Sequence, residues 1–284
     1  MKKLLALTMA LAMSLSLAAC GNSGDQSAPG SASSNGSAST SQSDASTSTG
    51  GASSAGDASF TTVEEGKLHM STNAAFPPYE MTDDSGNVVG IDAEIAAAIA
   101  DKLGLEIQID DMDFDSALLA VQQGKSDIVM AGVSVTEERL LVMDFSDSYA
   151  TGVQVVIVKE GSDVTLDNLG EQMIGTQRAT TGNIYCTDEF GEDHVVAYDD
   201  GIVAVQDLMN GKVDCVVIDQ APAEEFVSAN PGLTILDTPW LEESYAIGFA
   251  KGNTGLLEAV DAALAELSAD GTLQSIIDKY IPAE

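Results

Sequence analysis

Twice along the chain, short apolar runs alternate with helical patterns, and this alternation restricts the fold more than any other feature. In the first block Leu68–Thr72 reads as a strand, and Asp83–Asn87 as a hairpin turn. Asp92 is placed to cap a helix that carries Ile91, Ile95, Ile99 and Leu103 on one face and stops at Gly104. Leu105–Ile109 is again a strand. Asp115 is placed to cap a second helix with Leu118, Leu119 and Val121, ended by Gly124, and Asp127–Ala131 closes the block. The second block runs Met173–Gln177, a helix from about Gly182, Val195–Tyr198, a helix over Ile202–Met209, and Val213–Ile218, after which Pro222 is suited to start a helix. A β-α-β-α-β order specifies parallel strands covered by helices. The near-continuous apolar run Val213–Ile218 is what a strand buried on both faces requires.

Two such blocks predict two α/β lobes. Val153–Val158 lies between them, and Tyr245–Ala250 precedes two last helices, one through Leu256, Val260 and Leu264, the other over Leu273–Ile277. The predicted fold class is therefore α/β: two lobes with a ligand cleft between them, joined by two crossing strands. Lobe 1 is expected to comprise 60–153 plus 245–284, and lobe 2 to comprise 154–244. In open α/β sheets ligands bind beyond the C-terminal ends of the strands. The loops leaving those strands are where the chemistry belongs.

Ahead of the folded body stand two segments of another kind. Met1-Lys2-Lys3 is a short positive start, and Leu4–Ala19 is an apolar run of 16 residues, shorter than the roughly 20 a spanning helix needs. It reads as a signal peptide over 1–19. The string Leu17–Cys20, LAAC, resembles the lipobox of bacterial lipoproteins, in which cleavage precedes the cysteine and its thiol takes a lipid. From 21 to 59, Ser, Gly, Ala and Thr fill 31 of 39 positions. Such a stretch buries too little apolar area to offset its ordering entropy, so 20–59 is expected to be a lipidated cysteine and a tether with a span of about 35 Å. The result is a protein held at a membrane by Cys20 without spanning it.

Eleven Lys and Arg oppose 45 Asp and Glu, a formal charge of −34. That balance repels phosphate backbones and excludes nucleic-acid binding. Cys186 and Cys215 are the other cysteines; a disulfide and a buried apolar role both fit, and Cys215 inside an apolar strand favours the second. No Cys/His cluster, phosphate loop or nucleophile elbow occurs, and the acidic run Asp111–Asp115 lacks the glycine and glutamate of a calcium loop. No metal and no cofactor are expected. His69 and His194 fit structural positions.

Only two arginines occur in the chain, Arg139 and Arg178. Thr136 is suited to N-cap a short helix in which a capping box would place Glu or Gln at the position Arg139 holds. A cation in a first helical turn is unfavourable unless an anion docks there, as a carboxylate held by the guanidinium fork would; a surface pairing with Glu137 or Glu138 is the simpler alternative. Gln177–Gly182 also links a strand to a helix, and Thr180 and Thr181 offer donors to the same anion or an ordinary N-cap. Asp219 ends an apolar strand, where it can accept from an ammonium or cap the helix at Pro222; Ser134 and the carbonyls next to it could complete an ammonium site. Phe76 and Phe114 stand at strand ends, suited to walls or to core. One positive and one negative site match the head of a free amino acid.

The strings STNAAFPPYE, VVGIDAEIAAAIADKLGL, MDFDSALLAVQQGKSDIVMAGVSVTEERLLVMDFSDSY, GTQRATTG, GKVDCVVIDQAPAE and LAELSADGTLQSIIDKY cover most of 66–281. In them the body resembles the polar amino-acid-binding proteins of ABC importers, solute-binding protein family 3, with a type II periplasmic-binding-protein fold. The resemblance implies that Arg139, with Thr136 and the Thr181 backbone, holds an α-carboxylate. Asp219, with Ser134 and Gly132, would hold the α-ammonium, Phe76 would stack on the ligand and Phe114 would face it. Asn73 takes a place that is often acidic in binders of basic amino acids, which favours a neutral polar ligand; with Gln177 and Thr180 it completes the expected set. Ala179 replaces a common glycine, and Arg178 stands where neutral residues are frequent. The resemblance implies a monomeric, extracytoplasmic receptor that closes on a free amino acid and hands it to a permease, and no enzyme. The rival expectations are a cyclohexadienyl dehydratase-like enzyme and an amino-acid sensor on the same fold.

Overall fold

The computed structural model describes residues 60–237 and 240–282. The signal peptide, Cys20 and the tether lie outside the described residues. Within them the chain forms strand β1 (Lys67–Thr72), the short strands β2 (Ala75–Phe76), β3 (Glu80–Thr82) and β4 (Val88–Val89), helix α1 (Ile91–Leu103), β5 (Glu106–Asp111), α2 (Phe114–Gln122), β6 (Ile128–Val129) and α3 (Glu137–Leu140). It continues through β7 (Met143–Lys159), β8 (Ile174–Gln177), α4 (Thr181–Phe190), β9 (Val195–Tyr198), α5 (Gly201–Met209), β10 (Cys215–Asp219) and α6 (Gln220–Ala229). β11 (Leu233–Ile235), β12 (Leu241–Ala250), α7 (Thr254–Ala269) and α8 (Thr272–Tyr280) complete it.

The main sheet has the order β5-β1-β6-β12-β7-β10-β8-β9, with β11 pairing β7. β1 is parallel to β5 and β6, and β8 is parallel to β9 and β10. These are the two parallel units that the alternation requires. β7 and β12 join them: β12 pairs β6 at Gly248 and Phe249, and runs against β7 from Met143 to Gln154. β7 then pairs β10 from Gln154 to Ile157. The crossing segment of β7 is longer than the expected Val153–Val158, because its first half is polar and carries register shifts opposite Tyr245–Gly248. A bulge breaks the alternation that would mark a strand in sequence.

Helix α1 packs on α7 and α8, and its buried Ile91, Ile95 and Ile99 join Leu68, Met70, Ile128, Phe249, Leu256, Val260 and Leu264 in the largest core cluster. It starts one residue ahead of the expected cap. Gly90 is the N-cap at φ +133°, where a Cβ would collide with the Tyr79 carbonyl. Asp92 is buried inside the first turn, where its carboxylate accepts from Gly132 N at 3.0 Å and Tyr149 OH at 2.9 Å. Asp113, not Asp115, is the N-cap residue of α2. Gly104 ends α1 in the left-handed conformation, as expected. Cys186 and Cys215 are free and buried with Val156, Val217 and Leu169, and burial pushes both thiols up to about 12.

Candidate functional site

Strand exits from both parallel units converge on one narrow cavity. Its walls are Asn73, Phe76, Glu80, Phe114, Ala131, Gly132, Ser134, Arg139, Gln177, Thr180, Thr181 and Asp219. Ten of the eleven binding residues expected from sequence line this wall. The eleventh, Thr136, does not: its hydroxyl N-caps α3 by accepting from Arg139 N at 3.2 Å.

Arg139 is 8% exposed. Its Nη1 donates to Ser134 O at 2.8 Å and its Nη2 to Ala179 O at 3.1 Å, which ties one sheet unit to the other. Its guanidinium carbon lies 5.5 Å from the centre of the Phe114 ring, a cation–π contact that fixes the plane of the fork. Among the described residues no carboxylate lies within 4.0 Å of it. Burial therefore lowers its pKa from the ordinary arginine value, with Glu243 and Asp219 partly offsetting the effect. A guanidinium carries five donors, and two carbonyls do not neutralise a buried positive charge.

Asp219 N-caps α6 by position, yet its side chain makes no capping bond. Its Oδ1 instead accepts from the hydroxyl of Tyr245, and burial pushes the carboxyl up to about 7. Gly132, at φ +55°, is needed twice over: a Cβ there would stand 2.7 Å from the Phe76 ring. Phe76 itself stacks on Tyr79 at 5.9 Å. Asn73 spans the cavity; its Oδ1 accepts from Gln177 Nε2 at 2.9 Å while its Nδ2 donates to Met112 O and Asp200 Oδ1. Thr180 N-caps α4, accepting from Asn183 N at 3.2 Å and donating to Gln177 O at 2.7 Å. Ala179 is the described non-glycine residue with positive φ, +61°, so the loop keeps a glycine-type turn with alanine in it. Arg178 is half exposed, pairs with Asp199 at 3.2 Å and does not line the cavity.

Two carboxyls escaped the sequence reading. Glu80 lines the cavity fully buried; neither oxygen takes a hydrogen bond from a donor among the described residues, and burial together with the neighbouring Asp92 carboxyl, with which it shares a hydrogen bond, pushes its pKa well above the ordinary value. Glu243 stands behind the wall on β12, 8% exposed. The signal for Glu243 was its inward place in the alternation that also buries Tyr245 and Ile247, which becomes legible once the strand is started at Leu241. The signal for Glu80 was an acid next to the aromatic Phe76–Tyr79 segment.

Two α/β units crossed by two shared strands, with a cation and an acid facing one cavity between strand exits, define a two-lobed small-molecule-binding protein. The chain belongs to the bacterial extracellular solute-binding proteins, family 3, whose pattern matches residues 68–283. It is 31% identical over 221 residues to ABC transporter arginine-binding protein 1 of Escherichia coli K12, covering 76% of this chain and 91% of the relative. It is 29% identical over 225 residues to the L-cystine-binding protein TcyJ of the same organism, covering 78% and 85%. Among solved structures it is similar to an ancestral arginine-binding protein bound to glutamine, with 38% identity and a TM-score of 0.74 over 78% of this chain and all of that one.

Proposed function

We propose that the protein captures a free amino acid in this cavity and delivers it to the permease of an ABC importer. The observation that carries the reading is Arg139: a buried guanidinium held by carbonyls and an aromatic ring, with no carboxylate of the described residues on it, calls for an anion. In the proposed complex Arg139 and the Thr181 backbone N–H take the α-carboxylate. Asp219 and Ser134 take the α-ammonium, and Phe76 and Phe114 flank the stem. Gly132, Gln177, Thr180 and Asn73 shape the rest. Thr136 acts on the ligand only through Arg139.

The lobes are 60–153 with 245–284, and 154–244; they close by rotation about β7 and β12. The bulge between Tyr245 and Gly248 lies at that crossing, which supports a hinge there. The side-chain end of the cavity holds the amides of Asn73 and Gln177, which favours a neutral polar ligand such as glutamine. Glu80 favours a second reading, a cationic side chain, because this buried, cavity-lining carboxyl takes no hydrogen bond from a donor among the described residues. The relatives named for arginine and cystine bracket these choices. The chain works as a monomer outside the cytoplasm, held at the membrane by a lipid on Cys20.

Thermal shifts against the twenty amino acids and cystine test the reading. A ligand at 100 times its Kd adds about 2.7 kcal/mol, so glutamine or arginine is expected to raise Tm by several degrees. Arg139→Ala is expected to abolish that rise. No shift with any amino acid, in protein shown to be folded, overturns the proposal; an unchanged Kd in Arg139→Ala removes the arginine from the site.

A further inference from the structure

Glu243 gathers three donors on one oxygen. Its Oε2 accepts from Thr181 Oγ1 at 2.8 Å, Gln154 Nε2 at 2.9 Å and Ser134 Oγ at 3.2 Å. These partners come from both parallel units and from the crossing strand β7. Its Oε1 is buried, and no donor among the described residues makes a well-formed hydrogen bond to it; the Tyr185 hydroxyl is the group nearby. Retaining a carboxylate in such a place is costly unless the charge has a task.

A hydroxyl has one proton to donate and two lone pairs to accept with. Ser134 and Thr181 have each committed that proton to Glu243. Thr181 Oγ1 then accepts from Gln154 Nε2 at 3.4 Å, and Ser134 Oγ keeps acceptor capacity only. Neither hydroxyl can donate to a ligand carboxylate. On that side of the cavity anions are served by Arg139 and by backbone N–H groups alone. An ammonium, by contrast, finds the Ser134 oxygen turned into an obligatory acceptor beside Asp219.

We propose that Glu243 is a specificity-determining positioning residue: by taking the protons of Ser134 and Thr181 it makes the cavity select for an α-ammonium. The inference rests on the amino-acid reading above and assigns a task within it. Glu243 acts through the hydroxyls, from behind the wall, without touching the ligand. A glutamine in its place presents donors as well as acceptors, so the two hydroxyls can turn round and donate.

The test is calorimetric titration of the full chain and Glu243→Gln with two probe pairs. One is L-glutamine and glutaramic acid, the same skeleton without the α-amino group. The other is L-arginine and 5-guanidinopentanoic acid; the pair used is the one whose amino acid binds the unaltered protein. Glu243→Gln is expected to weaken the amino acid about tenfold or more, while the deamino acid changes little or gains. Ser134→Ala, which leaves Glu243 in place, is expected to show the same one-sided loss, and adding it to Glu243→Gln is expected to cost little more. Equal losses for both members of the pair, unchanged affinity for both, or fully additive losses overturn the inference while leaving the amino-acid reading standing. Failure of the unaltered protein to bind any of the twenty amino acids or cystine overturns that reading and this inference with it. Melting curves of each variant confirm that losses come from folded protein.

Discussion

Burial turns Asp219 from an ordinary acid into a group that titrates near neutrality. Its carboxyl is pushed up to about 7 by loss of solvent, with Glu243 adding to the shift and the Tyr245 hydroxyl and Gln154 opposing it. A folded-state value above the unfolded one means the folded protein binds the extra proton. The stability this group contributes is full below the ordinary carboxyl range and falls as pH rises toward 7. A ligand ammonium needs the ionised form, so affinity runs the other way. Affinity for the bound amino acid is expected to fall as pH drops from 8 to 5.5, by at most about tenfold per unit below the Asp219 value. Asp219→Asn is expected to bind weakly and to lose most of that pH dependence. A flat affinity profile for the unaltered protein, measured by calorimetry, would sink the ammonium role. The positions of Arg139 and Asp219 were readable because each breaks a local rule, a cation in a first helical turn and an acid ending an apolar strand. Asp92 also broke a pattern in its buried first-turn place, but as an N-cap candidate it looked ordinary.

At the scale of elements, β7 and β12 carry the site as well as join the lobes. Tyr245 on β12 donates to Asp219, and its ring lies over Gly152 of β7, where an added Cβ would collide with the ring and hydroxyl. Gly152 has no left-handed backbone, so its need is one of close packing alone. Gly152→Ala is expected to cost about 1–3 kcal/mol through overpacking, which in a domain of this size lowers Tm by about 2–4 °C for each kcal/mol. Amino-acid affinity is expected to fall with it, since the Tyr245 hydroxyl is displaced from Asp219. Melting and binding curves that match the unaltered protein would show that the crossing strands leave room there. The parallel strands and their helices were legible because each has its own period and its own stops. The first half of β7 was not, because bulges opposite Tyr245–Gly248 break its alternation.

For the whole molecule, charge sets the balance. Forty-five acidic side chains face eleven basic ones, so there are too few basic side chains to pair with most of the carboxylates. The ion pairs present, such as Lys102 with Glu266 and Lys251 with Asp144, are largely exposed. Each is worth about 0–1 kcal/mol and is screened by salt. Repulsion among the excess acids is screened as well, and with four acids for each base it is the larger effect. Raising NaCl from about 10 to 150 mM, which shortens the Debye length from about 30 to 8 Å, is expected to raise Tm. A fall in Tm over that range would mean the ion pairs outweigh the repulsion.

Local periodicity, caps and stops in the sequence determined the two α/β units, the exit loops and most of the cavity's residues, because such signals are set by neighbours a few positions apart. The pairings across the cavity were decided only by the tertiary structure. Asn73 meets Gln177 across 104 positions, Ser134 meets Glu243 across 109, and Thr181 meets it across 62. Such meetings depend on the register of β12 against β7 and on how the two units face each other. No local pattern encodes that register, so the carboxylate that orients both hydroxyls became visible only once the strands were paired.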